Sequence, residues 1–331
     1  MWALPDAVPL VSKLRSFDSH LTGTGMPPPL FIVGTARSGT SWAFDLIASH
    51  PEMSMGFESK LPLEGCELYR RFGSITGPSD LKRLFTQIQE QIDDPMNTEL
   101  YRLLDQPEVL AAAWAAYQAL PGWGAICESI FCSLDSSTHW GNKLLRIETT
   151  PDLLELWPDS RFIVLTRDPR AVVASQEVKF DTSIAYSSTY WLTHADWVLN
   201  RIDNDPRYLV VDLTEMATDP RPTLEWAFSE TSLSCEPIEE LIAAHPGDPK
   251  RLEKWRSSLS AERQREVEEY CFAPMARLGY MPELATKHRE IGKLRRLWLV
   301  ASFHGKELLK DPGSIRRKQV FKRLGAVLGI D

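Results

Sequence analysis

One stretch constrains this chain more than any other. Leu30-Phe-Ile-Val33 is a short unbroken apolar run, Gly34-Thr-Ala-Arg-Ser-Gly39 is small and polar, and Thr40 to Ser49 follows. A continuous apolar run of that length, closed by glycine, marks a strand buried on both faces. Beyond Thr40, apolar residues recur at Ala43, Phe44, Ile47 and Ala48, the spacing of one helix face. His50-Pro51 ends that helix, because the residue before proline avoids the α region. Met26-Pro-Pro-Pro29 is a stiff, extended lead-in. A loop that leaves a buried strand and enters a helix start aims backbone N–H groups and the positive end of the helix dipole at one point. It is a ready anion site.

The rest of the chain repeats the strand-and-helix rhythm. Residues from about Leu81 to Leu120 read as helices interrupted near Asp94-Pro95 and Gln106-Pro107. Lys143 to Ile147, Arg161 to Thr166 and Tyr208 to Val211 read as further strands, and Glu262 to Leu278 as a helix stopped by Gly279. The expected fold is α/β, a three-layer sandwich with a central, mostly parallel sheet. With 331 residues, 43% hydrophobic and 25% charged, the chain is neither disordered, fibrous nor a disulfide-stapled miniprotein. The segment Met1–Leu10 lacks a basic start with an apolar core, and no window reaches the length of a membrane span. Five widely spaced cysteines read as free thiols of a reducing cytoplasm, with no zinc spacing among them.

The loop nearly matches the triphosphate-binding pattern G-x-x-x-x-G-K-[ST], but Thr40 stands where that pattern has lysine and the cation, Arg37, lies inside the loop. Without that lysine, ATP chemistry loses a main charge clamp. A ligand with less negative charge on that side, and no metal, fits better. A second anion site lies in "RFIVLTRDPRAVVASQ". Arg167 ends a strand and offers a two-pronged fork to phosphate, Asp168 suits an N-cap, and Pro169 suits the first helical turn. Arg170 is either a further phosphate ligand or a solvated first-turn arginine.

The stretch "LFIVGTARSGTSWAFDLIASHP" resembles the P-loop-like 5′-phosphosulfate-binding loop of sulfotransferases that use 3′-phosphoadenosine-5′-phosphosulfate (PAPS). The resemblance implies that Arg37, Ser38, Gly39, Thr40 and Ser41 hold the 5′-phosphate and sulfuryl group. It also implies that Trp42 either stacks on adenine or is a core aromatic. The second site resembles the family's 3′-phosphate motif, which implies roles for Arg167 and Ser175. "HPEMSMGFESKLP" is similar to tyrosylprotein and carbohydrate sulfotransferases and implies Glu58 as general base, with Arg37 as leaving-group cation. Asn142-Lys143 resembles a pair whose lysine stabilises the transferring group. Leu144-Leu145 then departs from the family's Asp-Pro, leaving Lys143 or Glu148 as the pocket residue. "PGDPKRLEKWRSSLS" resembles a closing loop and implies that Lys254 and Trp255 touch the nucleotide; Leu213 stands where a tyrosine is common. His139, His194, Tyr186 and Tyr190 read as satisfied or exposed side chains, and Ser183 to Tyr190 as a flap over the acceptor.

The net charge of −8 is uneven. From Lys287 to Asp331 there are 12 Lys+Arg and 4 Asp+Glu, against 25 and 41 in residues 1–286. The expected organisation is a catalytic domain, 1–286, and a basic helical extension, 287–331. The extension reads as a strap across the acidic body, a homodimer arm, or an interfacial helix resting on anionic lipid. Nucleic acid is not an expected partner. The expected activity is metal-independent transfer of the sulfuryl group from PAPS to a hydroxyl acceptor (sugar, lipid-linked glycan, tyrosine or small molecule), releasing adenosine 3′,5′-bisphosphate. The competing readings are a small-molecule kinase using magnesium and ATP, and a nucleotide-binding module without turnover.

Overall fold

The strands are β1 (Leu30–Gly34), β2 (Met53–Phe57), β3 (His139–Leu144), β4 (Arg161–Thr166) and β5 (Tyr208–Asp212), joined in one sheet of order β2-β3-β1-β4-β5. Every neighbouring pair is parallel, and Ile32 of β1 lies between Lys143 of β3 and Ile163 of β4. The computed structural model describes residues 27–305 apart from 136 and 203, with 320, 321, 324, 325 and 327. Met1–Leu10 and most of the extension beyond 305 lie outside the described residues.

The helices are α1 (Thr40–Ala48), α2 (Cys66–Phe72), α3 (Pro78–Gln91), α4 (Thr98–Arg102), α5 (Pro107–Ala119), α6 (Trp123–Leu134), α7 (Thr150–Leu156) and α8 (Pro169–Phe180). They continue as α9 (Ile184–Asn200), α10 (Leu213–Thr218), α11 (Arg221–Thr231), α12 (Ile238–Ala244), α13 (Pro249–Leu252), α14 (Trp255–Ser258), α15 (Ala261–Arg277) and α16 (Lys293–Phe303).

The central strands are apolar on both faces because both faces are covered. Leu30, Ile32, Ile163 and Leu165 pack against α1, α11 and α12 through Leu46, Ile47, Phe228 and Leu241. Phe31, Val33, Phe162 and Val164 face the larger helical layer, with Leu84 of α3, Ile130 of α6, Val172 of α8 and Val267 of α15. Burial of each such side chain contributes about 1.5–3 kcal/mol. This is the three-layer α/β sandwich expected, with the sheet wholly parallel.

Two strands depart from the expected register. β3 is His139–Leu144, not Lys143–Ile147; Ile147 lies in a short 3₁₀ turn. β2, Met53–Phe57, forms an edge strand where the sequence shows only a short segment after a helix, because Ser54 and Gly56 dilute its apolar pattern. Ser183 to Tyr190 is not a flap: Ser183 caps α9, and Ile184 to Thr189 are buried in its first turns.

The strand order places the site. From β1 the chain moves to the β2 side of the sheet, and from β4 it moves to β5 on the other. Between β1 and β4 the connections part, and in a parallel sheet the crevice at such a point, outside the carboxyl ends of the strands, is where ligands bind.

The C-terminal segment is strapped to the body of the same chain. Glu268 of α15, fully buried, accepts from the backbone N–H groups of Glu283 (3.1 Å), Leu284 (2.6 Å) and Ala285 (2.8 Å). Further on, α16 packs against α9, with Leu299 and Val300 buried and Phe303 stacked on Tyr186. No helix among the described residues is long and apolar enough to cross a membrane.

Candidate functional site

The loop after β1 is closed by its own polar groups. Ser38 donates to the Thr35 carbonyl twice, from its N–H (3.0 Å) and its hydroxyl (2.7 Å). Arg37 and Gly39 both adopt left-handed backbone, φ 74° and 93°. Gly39 also abuts Leu213, whose Cδ1 any Cβ at position 39 would strike. The residue that departs from the family pattern therefore braces the loop. No side chain caps the start of α1, so its first N–H groups stay available to an anion. Ser38 and Thr40 are buried and Ser41 is exposed. The Ser38 hydroxyl is spent on closing the turn.

The two predicted phosphate sites, far apart in sequence, are joined directly. Arg37 Nε donates to Ser175 Oγ at 2.9 Å, and Arg167 Nη1 donates to the Arg37 carbonyl at 2.7 Å. Gln176, beside Ser175 on α8, donates to the Ala36 carbonyl at 2.9 Å. Burial and the neighbouring Arg37 charge both push the Arg167 guanidinium below the usual arginine range. A pair of guanidinium groups held this close, one of them largely desolvated, favours an anion between them.

Beside this pair, at the ends of β2 and β3, Lys143 Nζ donates to the Glu58 carboxylate. Lys143 is 2% exposed and Glu58 33%. Desolvation lowers the Lys143 pKa against the opposing pull of Glu58, and Arg37 is close enough to push it the same way as burial. The Lys143 ammonium also lies 4.1 Å from the Phe57 ring centroid. Glu58 has φ 56°, and its N–H donates to the Lys143 carbonyl at 2.9 Å.

That left-handed backbone is held by two asparagines. Asn97 accepts from the Phe57 N–H and donates to the Phe57 carbonyl, both at 3.0 Å. Asn142 does the same for Ser59, at 3.0 and 2.9 Å. Asp94 accepts from the Lys60 N–H and from Asn97 and Tyr101. Sequence reasoning missed Asn97 and Asp94; the only local signal is the Asp-x-x-x turn chemistry before α4.

Four further residues from the sequence reading are placed as follows. Arg170 is not solvated: it is 4% exposed, forks onto Asp168 and reaches Glu268 at 3.0 Å, so it positions α8. Trp255 is buried against Ala171 and Ala174, its ring contacted by the guanidinium groups of Arg170 (4.3 Å) and Arg256 (4.5 Å). Lys254 beside it is exposed. Trp42 is half-buried against the α1-side core, and its Nε1 donates to the His245 carbonyl at 3.0 Å. His194 is not exposed, and its Nε2 is buried with no hydrogen-bond partner among the described residues. At the ends of β4 and β5, the Tyr280 hydroxyl donates its proton to Asp212 and lies 3.1 Å from the Thr166 hydroxyl. Burial and Asp212 hold the Tyr280 phenol well above its usual pKa.

All five cysteines are free thiols. Among the described residues no group of three or more His, Cys, Asp and Glu is placed to hold a metal.

A search of the curated proteins gives no match. Among solved structures, the sulfotransferase domain of the Synechococcus PCC 7002 olefin synthase is 21% identical over 77% of this chain and 98% of its own, with a TM-score of 0.44. The sulfotransferase domain from the curacin biosynthetic pathway is 14% identical over 78% and 99%, with a TM-score of 0.45. A sulfotransferase from Alicyclobacillus acidocaldarius is 18% identical over 72% and 99%, with a TM-score of 0.36. The family model that matches is that of the sulfotransferases, and it spans residues 28–227, from the lead-in of β1 into α11. With more than half of its length inside that match, this chain belongs to the sulfotransferase family.

Proposed function

We propose that this sulfotransferase takes its sulfuryl group from PAPS, passes it to a hydroxyl and releases adenosine 3′,5′-bisphosphate. The observation that carries the reading is the direct link between the two anion loops, Arg37 to Ser175 and Arg167 to the Arg37 carbonyl, beside the Glu58–Lys143 pair. A donor with phosphates at both ends of one nucleoside needs two anion sites fixed relative to each other. An uncapped helix start, two guanidinium groups and a desolvated lysine fit such a donor.

In this reading the N–H groups of Gly39, Thr40 and Ser41 hold the 5′-phosphate, and Arg167 and Ser175 hold the 3′-phosphate. Lys254, which is exposed, adds a charge at the rim in this reading. The donor supplies an activated sulfur with a phosphate leaving group. Glu58 accepts the proton of the acceptor hydroxyl as its oxygen bonds to sulfur. The bond from sulfur to the bridging oxygen breaks, and its electron pair stays on the phosphate, where Arg37 meets the new charge. Lys143, released from Glu58 as that carboxylate becomes neutral, is then free to meet the sulfuryl oxygens. One proton leaves Glu58 for solvent in each turnover. Positioning and charge stabilisation supply most of the rate, as in phosphoryl transfer.

Incubation with sulfur-labelled PAPS and a panel of hydroxyl acceptors tests this directly. The expected result is labelled sulfate ester and bisphosphate in equal amounts. Bisphosphate formation with every acceptor at the rate of its absence would count against transfer.

A further inference from the structure

A small cavity of about 20 Å³ lies beside the donor loop, among Thr35, Leu145, Ile147, Tyr190, His194 and Val327. That is room for about one water-sized group. Thr35 follows β1 and closes the loop through its carbonyl; Leu145 follows β3, two residues beyond Lys143. The cavity thus shares the carboxyl edge of the sheet with Glu58 and Arg37, and α9 roofs it with Tyr190 and His194. Its remaining wall, Val327, is 9% exposed and comes from the C-terminal extension, outside the 28–227 span of the family match.

His194 points to what the cavity receives. The residue is 4% exposed, and Nε2 is buried with no hydrogen-bond partner among the described residues. Burial pushes its pKa down to about 4, with the Leu165 backbone hydrogen bond acting against that shift. The ring is therefore neutral near pH 7. The Leu165 carbonyl can only accept, so with the one ring N–H turned toward it Nε2 keeps its lone pair. The unmet need is for a donor. Leu145, Ile147 and Val327 supply hydrocarbon to the wall, and the Thr193 hydroxyl, also at the cavity, donates to the Thr189 carbonyl of its own helix. Glu148, also at the cavity, is 8% exposed and engaged in interactions of its own.

We propose that this cavity is an acceptor subsite in which His194 Nε2 receives a hydrogen bond from a non-reacting hydroxyl of the sulfuryl acceptor, and that Val327 limits the length of hydrocarbon beside it. The inference rests on the sulfuryl-transfer reading only for the word acceptor. The reacting hydroxyl gives its proton to Glu58, so the group on His194 is a second one. The acceptor class is a hydroxylated molecule with an apolar stem and at least two hydroxyls, and Val327 completes the site that selects it.

The test uses the full chain with ¹⁵N-labelled histidine, the His194 signals being assigned through His194→Gln or, if that variant is unstable, His194→Phe. Methanol, ethanol and 1-butanol are titrated as probes, with acetone as a donor-free control of similar size. The expected Nε2 signal is that of an unprotonated nitrogen. It shifts saturably with methanol and ethanol and not with acetone, and Val327→Ala moves the preference toward 1-butanol. A protonated Nε2, no response to any alcohol, an equal response to acetone, or an unchanged length preference in Val327→Ala would each overturn the proposal. Failure of the sulfuryl-transfer reading would show separately, as no binding of adenosine 3′,5′-bisphosphate with the alcohol response intact.

Discussion

At Glu58 three demands meet in one residue: a left-handed backbone, a buried lysine partner and a carboxylate still one-third exposed. A side chain that only packed would need none of these. Glu58→Gln keeps size and an acceptor oxygen but cannot take a proton. Transfer should fall about 100- to 10,000-fold, the usual share of a general base, with bisphosphate affinity retained; steady-state kinetics and calorimetry separate the two. Arg37→Ala removes a charged hydrogen-bonding group at the junction of both anion loops. Bisphosphate should bind about 10- to 100-fold more weakly, corresponding to about 1.5–3 kcal/mol for such a bond, and Arg37→Lys should restore only part, since an ammonium has no fork. Both residues stand out in the sequence because they lie in short local patterns. Lys143 and Arg170 are harder to read. A buried Lys143 makes sense only once Glu58, 85 residues away, is seen beside it, and Arg170 looks solvated until Glu268 is placed against it.

Among the elements, the loop between β1 and α1 is held by shape as much as by hydrogen bonds. Gly39→Ala should destabilise the fold by about 1–2 kcal/mol for the left-handed backbone alone, with more from the collision with Leu213. Adding Leu213→Ala should relieve only the collision, so the double variant loses less than the two singles together when followed by urea unfolding. In α6, burial raises the Glu128 carboxyl from 4.5 to about 7. Between those values the folded chain holds a proton that the unfolded chain releases, so this group's contribution falls as pH rises through the window. Glu128→Gln should therefore raise stability at pH 8, by at most about 3 kcal/mol, and leave it nearly unchanged at pH 4. An equal gain at both would assign the effect to packing instead. β1 and β4 are legible as apolar runs because nothing polar interrupts them. β3 is legible only at its end, because its polar residues Asn142 and Lys143 are buried through partners on the segment after β2.

Across the whole molecule, the parting of connections between β1 and β4 turns two distant motifs into one site, and strand order is the one thing the motifs themselves do not carry. Asp168, Arg170 and Glu268 then tie α8, which bears Ser175, to the start of the C-terminal segment. Glu268→Gln leaves Arg170 short of a buried partner, and should cost about 3–5 kcal/mol and speed hydrogen exchange at residues 283–285. The central claim is that the joined loops hold a nucleotide with phosphates at its 3′ and 5′ positions. It is tested most directly by calorimetric titration of the full chain with adenosine 3′,5′-bisphosphate and, separately, with ATP and magnesium. The account predicts saturable binding of the bisphosphate that weakens in Arg167→Ala. Binding of magnesium-ATP with none of the bisphosphate would contradict it.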